Sequence, residues 1–266
     1  PANLEFLFHR AYDIEPRGLR QAVLALAIRG RLELQSTNDE PVDDLLCRIQ
    51  RKRRSLVTAK KASNASDLHP VEAEERPFEV PGAWRWLRFG AVSICRDGQR
   101  IPVSKDERAG RQGPYDYYGA SGVIDKIDGY LFDEPLLLIG EDGANLLNRS
   151  TPIAFLAGGK YWVNNHAHVL DSDSVDVLRY LALVFNAIDL TPFVTGTAQP
   201  KMNQAKMNSI PIPVPPVEEQ RRIVAKVDQL LALIDELEAR LIASRANGEK
   251  LLEAVVAELS QATRVA

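Results

Sequence analysis

Asn164, Asn165, His166, Ala167 and His168 place two carboxamides and two imidazoles in one short run. On a strand, His166 and His168 would share a face, because side chains alternate with period two, and such a pair is the start of a metal site. No third Cys, His or carboxylate stands at a recognisable ligand spacing, so no metal is expected. A polar strand lining a cleft, or a satisfied hydrogen-bond network, is the plainer reading. Asn can also bond adenine through two hydrogen bonds, and His can reach phosphate or guanine, so the run equally suits a base-reading surface. A second run, Tyr115 to Gly122, joins Tyr117, Tyr118 and Ser121 to two glycines. That mixture lets a backbone come close to a ligand while hydroxyls bond base edges or phosphates; a plain turn beside core tyrosines would read the same. In a third run Thr197, Gln199, Lys201 and Asn203 cluster just ahead of a proline-rich segment, and it is the strongest of the three candidates.

Catalytic signatures are missing from the sequence. The glycines of Gly158, Gly159, Lys160 and Tyr161 sit between apolar runs with no Lys-Ser or Lys-Thr after them, which excludes a phosphate-cradling P-loop. Neither a Gly-rich S-adenosylmethionine loop nor the Asp/Asn-Pro-Pro-aromatic motif of amino-methyltransferases occurs, and Glu141, Asp142 and Gly143 lack the following Lys of a common nuclease site. No catalytic residue is expected.

The elements that must position these residues follow from patterning. Residues 1–62 read as helical, with Leu19, Val23, Leu26 and Ala27 and then Leu45, Leu46 and Ile49 at helix spacing and a break at Gly30. Asn38 or Asp39 is expected to cap the second helix, with Pro41 in its first turn, and Arg48 to Arg54 to suit the dipole of its later turns. Residues 63–83 read as a linker, punctuated by Pro70 and Pro77. From 84 to 211 short apolar runs alternate with Gly, Asp, Asn and Pro, which predicts strands, a hairpin at Gly158-Gly159, and one helix over Val175 to Ile188. Residues 212–266 open on Pro213, Pro215 and Pro216, which must be extended, and continue as one long helix. Val227, Leu230, Ile234, Leu237, Leu241, Leu251 and Val255 recur there at coiled-coil spacing, so a partner helix is expected.

Composition bounds the rest. The 266 residues are 45% apolar and carry a net charge of −3, enough for a substantial core and unlike a chain that coats nucleic acid non-specifically. Between Arg85 and Arg111 seven basic residues face three acidic ones, whereas Asp116 to Asp176 is acidic, so a single positive face is expected. Cys47 and Cys95 are too few for a disulfide framework. No long apolar stretch or signal core is seen, so the expectation is a cytoplasmic protein with no membrane contact.

Three stretches carry a resemblance to a known family. They are Thr197 to Asn203 with Ile210 to Pro216 and Glu219 to Ile223; Arg20 to Leu32 with Asn38 to Pro41; and Pro77 to Pro81 with Trp84 to Gly90. Their order resembles that in specificity subunits of type I restriction-modification systems. The resemblance implies an α+β protein: one strand-rich target recognition domain (84–211), an N-terminal helical segment and a long C-terminal coiled-coil spacer helix. It implies sequence-specific recognition of double-stranded DNA at a bipartite site. Arg96, Arg100, Lys105, Arg108 and Arg111 would position phosphates, while residues 117–122, 164–168 and 195–203 would read bases. The partners it implies are modification (methyltransferase) subunits and a restriction (motor and nuclease) subunit, which would use S-adenosylmethionine, ATP and Mg2+; the chain itself would hold no cofactor. One recognition domain in place of two implies either a half-subunit that pairs with itself through the spacer helix or a fragment. A spacer helix from Val217 to Leu259 would reach roughly 64 Å, nearly two turns of DNA. The competing expectation is a coiled-coil scaffold whose β-rich domain binds protein.

Overall fold

The structure, a computed structural model, describes residues 16–64, 68–196 and 199–262, with 255–262 described by backbone alone. The chain divides into two units. One runs Leu24–Ala225; the other joins the described residues up to Val23 to those from Lys226 onward. Among the described residues the longer helices are α1 (Pro16–Ala27), α2 (Val42–Thr58), α3 (Val175–Ala187) and α4 (Val217–Ala262). Among the described residues no helix is long and apolar enough to cross a membrane.

Strands of the Leu24–Ala225 unit form three sheets. β1 (Arg85–Arg88) and β10 (Pro211–Val214) make an antiparallel pair. A four-stranded sheet has the order β2 (Ile94–Cys95), β9 (Ala167–Asp171), β6 (Leu136–Gly140), β7 (Ala154–Ala157). The other has the order β4 (Gly122–Ile127), β3 (Tyr115–Gly119), β8 (Lys160–Val163), β5 (Phe132–Asp133). All five residues of β6 are buried, as a nearly unbroken apolar run requires of a strand covered on both faces. Leu136 and Leu138 pack with Val169 of their own sheet and with Phe132, Tyr161 and Val163 of the other, so the two four-stranded sheets share a core. The period-two alternation turns Leu137 and Ile139 to the opposite face, where α3 packs on β6 and β7. Ser174 caps α3 by accepting from the Val177 amide, and Arg149 donates to the Phe185 and Ile188 carbonyls at its other end, where a cation suits the dipole.

Several expectations change. Gly158-Gly159 makes no hairpin: β7 pairs with β6 and β8 with β3 and β5, so these glycines, with Gly159 at φ +70°, pass the chain from one sheet to the other. The proline-rich run is extended, as expected, yet it is a paired strand more than a connector. Pro211 and Pro213 lack amide protons, which a two-stranded ladder tolerates because each strand has one unpaired edge. Neither Asn38 nor Asp39 caps α2; Pro41 occupies the cap, and the Asp39 carboxylate is taken by Arg222 at 2.6 Å. The basic run of α2 serves tertiary contacts instead of the helix dipole. Arg48 bonds Glu40 and Asp173, Lys52 bonds Asp171, and Arg53 donates to the carbonyls of Gly90, Ala91 and Ser93.

In the other unit, Arg20 of α1 bonds Asp235 and Glu238 of α4, each at 2.6 Å. Along the heptad seam Val227 and Ile234 are buried, and Leu230, Leu237 and Leu241 are half-buried. Leu251 is 67% exposed, and the Val255 side chain lies outside the described residues.

Candidate nucleic-acid interface

β3, β6 and β8 all end on one side of the sheets, and the loops that follow them meet. Gly140 closes β6 because nothing larger fits: a Cβ there would lie 2.7 Å from the Ala120 carbonyl oxygen. The Asn164 amide donates to the Tyr118 carbonyl (3.1 Å) and the Glu141 amide to the His166 carbonyl (2.8 Å). Residues 195–201 join through reciprocal Thr195–Lys201 bonds of 2.8 Å, while Gly143 donates to the Pro200 carbonyl and Met202 to that of Glu141. Gly196, at φ +83°, makes the tight turn that this return needs. Three segments far apart in sequence, 118–122, 164–168 and the described residues 195–196 and 199–203, come together, stitched by the loop 140–143.

Under this surface lies a charged network. Arg100 Nη1 donates to Glu141 Oε2 (2.8 Å) and to the Ala167 carbonyl (2.8 Å), and its Nη2 is 3.2 Å from Asp97 Oδ2. His168 Nδ1 bonds Asp97 (2.6 Å), and its Nε2 bonds the Met202 carbonyl (2.9 Å). The Met202 carbonyl can only accept, so Nε2 carries a proton, and opposite an ionised Asp97 the Nδ1 would carry one too. Burial alone would depress His168, but the Asp97 hydrogen bond and charge, the Met202 carbonyl and Glu141 carry it above its ordinary value. Burial likewise pushes Asp97 up, and its hydrogen bond to His168, the His168 and Arg100 charges and the Val169 amide bring it below the usual range. Glu141 is also held low: burial opposes, while Arg100, His168 and Lys201 prevail.

The ligand atoms of Asp97, Glu141 and His168 come within 4.8 Å of one another, a grouping that sequence spacing gave no sign of. His168 Nδ1 is engaged by Asp97 and Nε2 by the Met202 carbonyl, and Glu141 is held by Arg100 and by Lys201 (3.1 Å), so the three residues form an ion-pair network.

The candidate residues now separate. Ser121, Asn165, His166, Gln199, Lys201 and Asn203 are exposed and ring the network. His166 bonds Asp142 at 2.8 Å, Lys201 leaves 53% of its side chain in solvent, and the Asn203 side chain caps the short helix Gln204–Asn208. Thr197 lies outside the described residues. Asn164, His168, Arg96 and Tyr117 are buried and do not belong to a contact surface. Asn164 Oδ1 accepts from the His166 amide, and Tyr117 bonds the backbone of Val103 on both sides of its hydroxyl. His166 stands in a turn and only His168 in a strand, so the two imidazoles do not share a face. Tyr118 is half-buried and stacks on Phe155 (5.9 Å).

The expected basic face is largely neutralised. Arg96 pairs with Glu134 and Asp171, Arg100 with Asp97 and Glu141, Arg108 with Asp125, and Arg111 with Asp128 and Glu107. Arg108 and Arg111 also lie over the Tyr117 and Trp162 rings. The acidic stretch after Asp116 folds back onto the basic one before it. Lys105 is exposed in the first turn of the short helix Lys105–Ala109, beside Ser104, which caps it. Sequence reading missed Asp97, Glu141 and Asp142, because carboxylates carry no mark of the cations that will meet them.

The chain is similar to known proteins. The chain is 29% identical over 91% of its length to the EcoEI specificity subunit of Escherichia coli, and 37% identical over 90% of its length to the EcoDI specificity subunit of Escherichia coli. A solved chain from a study of complex assembly and conformational transition of the type I R-M system shares the fold, with a TM-score of 0.50 and 19% identity over 89% of this chain. The present chain spans about half the length of these relatives: 43% and 52% of the two curated subunits and 56% of the solved chain. The family described as type I restriction modification DNA specificity domain matches residues 92–244 of the 266. More than half of the chain lies within that match, and the protein belongs to this family.

Proposed function

We propose that this chain is a DNA sequence-recognition module of a type I restriction-modification enzyme, reading one half of a bipartite site. One observation carries the reading: the loops after β3 and β8 and the segment carrying Gln199 and Lys201, joined by the loop after β6, meet in a single polar rim of Ser121, Asn165, His166, Gln199 and Lys201, held by a buried ion network. Donors and acceptors at fixed positions are what base-edge readout requires. Residues 84–211, completed by the strand β10 that pairs with β1, would form the recognition part and α4 the spacer. α4 holds 46 residues, about 69 Å at 1.5 Å per residue, long enough to set a gap of roughly two DNA turns between half-sites. Methyltransferase subunits would supply S-adenosylmethionine chemistry, and a motor and nuclease subunit would use ATP and Mg2+; α1 and the exposed Leu251 side of α4 are the surfaces proposed for them or for a second copy of this chain.

Because most cations near the rim are paired, specific contacts must contribute more here than phosphate attraction. Selection of the full chain, with its methyltransferase partner, on a randomised duplex library tests this. A split motif with a fixed gap is expected, and Lys201→Ala should weaken binding to all duplexes and lower the salt slope by about one. Salt-labile binding with no sequence preference, or none, would overturn the reading in favour of a protein-binding scaffold.

A further inference from the structure

The β3–β4 hairpin departs from the regular alternation at one place. Tyr117 pairs with Asp125 and Tyr118 with Val123, so Ile124 is an extra residue in a β-bulge. A bulge re-aims side chains. Here it leaves two consecutive aliphatic residues in solvent, Val123 at 50% and Ile124 at 53% exposure, where a regular strand would send one of them to each face. Ile124 is held in position: it lies across Gly119, where a Cβ would meet its Cδ1 at 3.0 Å. Gly122, at φ +115°, forms the turn beside Ser121. The hairpin tip is continuous with the polar rim, since Ala120 touches Gly140 and Tyr118 receives the Asn164 amide.

We infer that Val123 and Ile124 are specificity-determining residues that pack against the C5-methyl groups of thymine in the major groove. The inference rests on the DNA-recognition reading above and adds a chemical class of base to it. A two-stranded ribbon fits that groove, and the thymine methyl is the one apolar feature displayed there. The polar rim supplies hydrogen bonds but nothing that distinguishes a methyl group; the bulge supplies the missing aliphatic surface. Approach to phosphate is not opposed by the hairpin's carboxylates, because Lys126 holds Asp116 (2.9 Å) and Arg108 holds Asp125 (2.8 Å).

The test uses the duplex selected by the full chain. Each thymine of the half-site is replaced in turn by deoxyuridine, which removes the methyl and keeps the base pair. Wild type should lose roughly three- to tenfold in affinity at one or two positions. Ile124→Ala should start weaker and show no further loss at those positions, and Gly119→Ala, which displaces Ile124, should show a reduced loss. Thermal unfolding of each variant confirms that it is folded; Val123→Thr, which keeps the volume, gives a second measure of the same contact. A half-site without thymine, indifference of the wild type to uracil, or equal losses in wild type and Ile124→Ala would each overturn the proposal while leaving DNA recognition intact. A library that yields no preferred sequence removes the recognition reading, and this inference with it.

Discussion

Arg100→Met isolates the network that fixes the rim. The guanidinium meets Glu141 at 2.8 Å and Asp97 at 3.2 Å, with side chains only 14%, 12% and 11% exposed. At an effective dielectric of about 20, one unit pair at that shorter distance attracts by about 6 kcal/mol, of which desolvation cancels a large share. Removing the cation leaves the desolvation of Glu141 and Asp97 uncompensated, and truncation of one member of a buried pair costs about 3–5 kcal/mol. Lys201 and His168 remain to hold one carboxylate each, so the lower end of that range is expected. Trp84, Trp86 and Trp162 all belong to the Leu24–Ala225 unit and report its unfolding by fluorescence in urea. The double variant Arg100→Met/Glu141→Gln should recover part of the loss, because the second change removes the orphaned charge. A loss below about 1 kcal/mol, or no recovery in the double variant, would refute the claim that buried charge pairing fixes this end of the sheets.

Two further outcomes follow from the same geometry. His168 has its folded value raised, so its contribution to stability is present below its ordinary titration and is lost as pH rises through the folded value. Asp97 has its value lowered, and its contribution is lost as pH falls through that value. Urea midpoints measured across pH should therefore be highest between the two, and His168→Gln should flatten the alkaline decline; an unchanged decline would contradict protonation of both ring nitrogens. Gly140→Val places a branched side chain 2.7 Å from the Ala120 carbonyl and should cost about 1–3 kcal/mol by overpacking. It should also reduce amide-exchange protection at Asn164 and Glu141, and a neutral result would mean that the loops are not held together at this point.

Much of the fold was legible because it depends on local pattern. α3 is found over Val175–Ala187, one residue short of its expected end, since Ser174 and a periodic apolar face specify it without help from elsewhere. The long helix is legible for the same reason, with Pro215 and Pro216 barring helix before Val217 and a heptad repeat after it. Leu136 to Ile139 could be recognised as a buried strand from its unbroken apolar run. The reading failed where partners come from far along the chain. Gly158-Gly159 has the composition of a hairpin turn, yet which sheet each flanking strand joins is decided by pairing with β6 and β3, which the two glycines cannot encode.

The candidate site shows the same division. Exposure of the rim was legible where a polar side chain stands in a loop or turn, as at Ser121, Asn165 and Gln199. Arg96, Arg108 and Arg111 looked like phosphate contacts because a basic run is visible in sequence, while Glu134, Asp125 and Asp128, which neutralise them, come from a separate acidic run. His168 could not be told from His166, although one ring is enclosed against Asp97 and the other is exposed. The sequence alone determined the longer helices, the buried apolar strand β6 and where polar groups concentrate, because those properties arise between neighbours within a few residues. Tertiary structure alone decided which charges cancel, which polar groups are buried and that three loops share one surface, because Coulomb attraction and burial act on distance in space and take no account of distance along the chain.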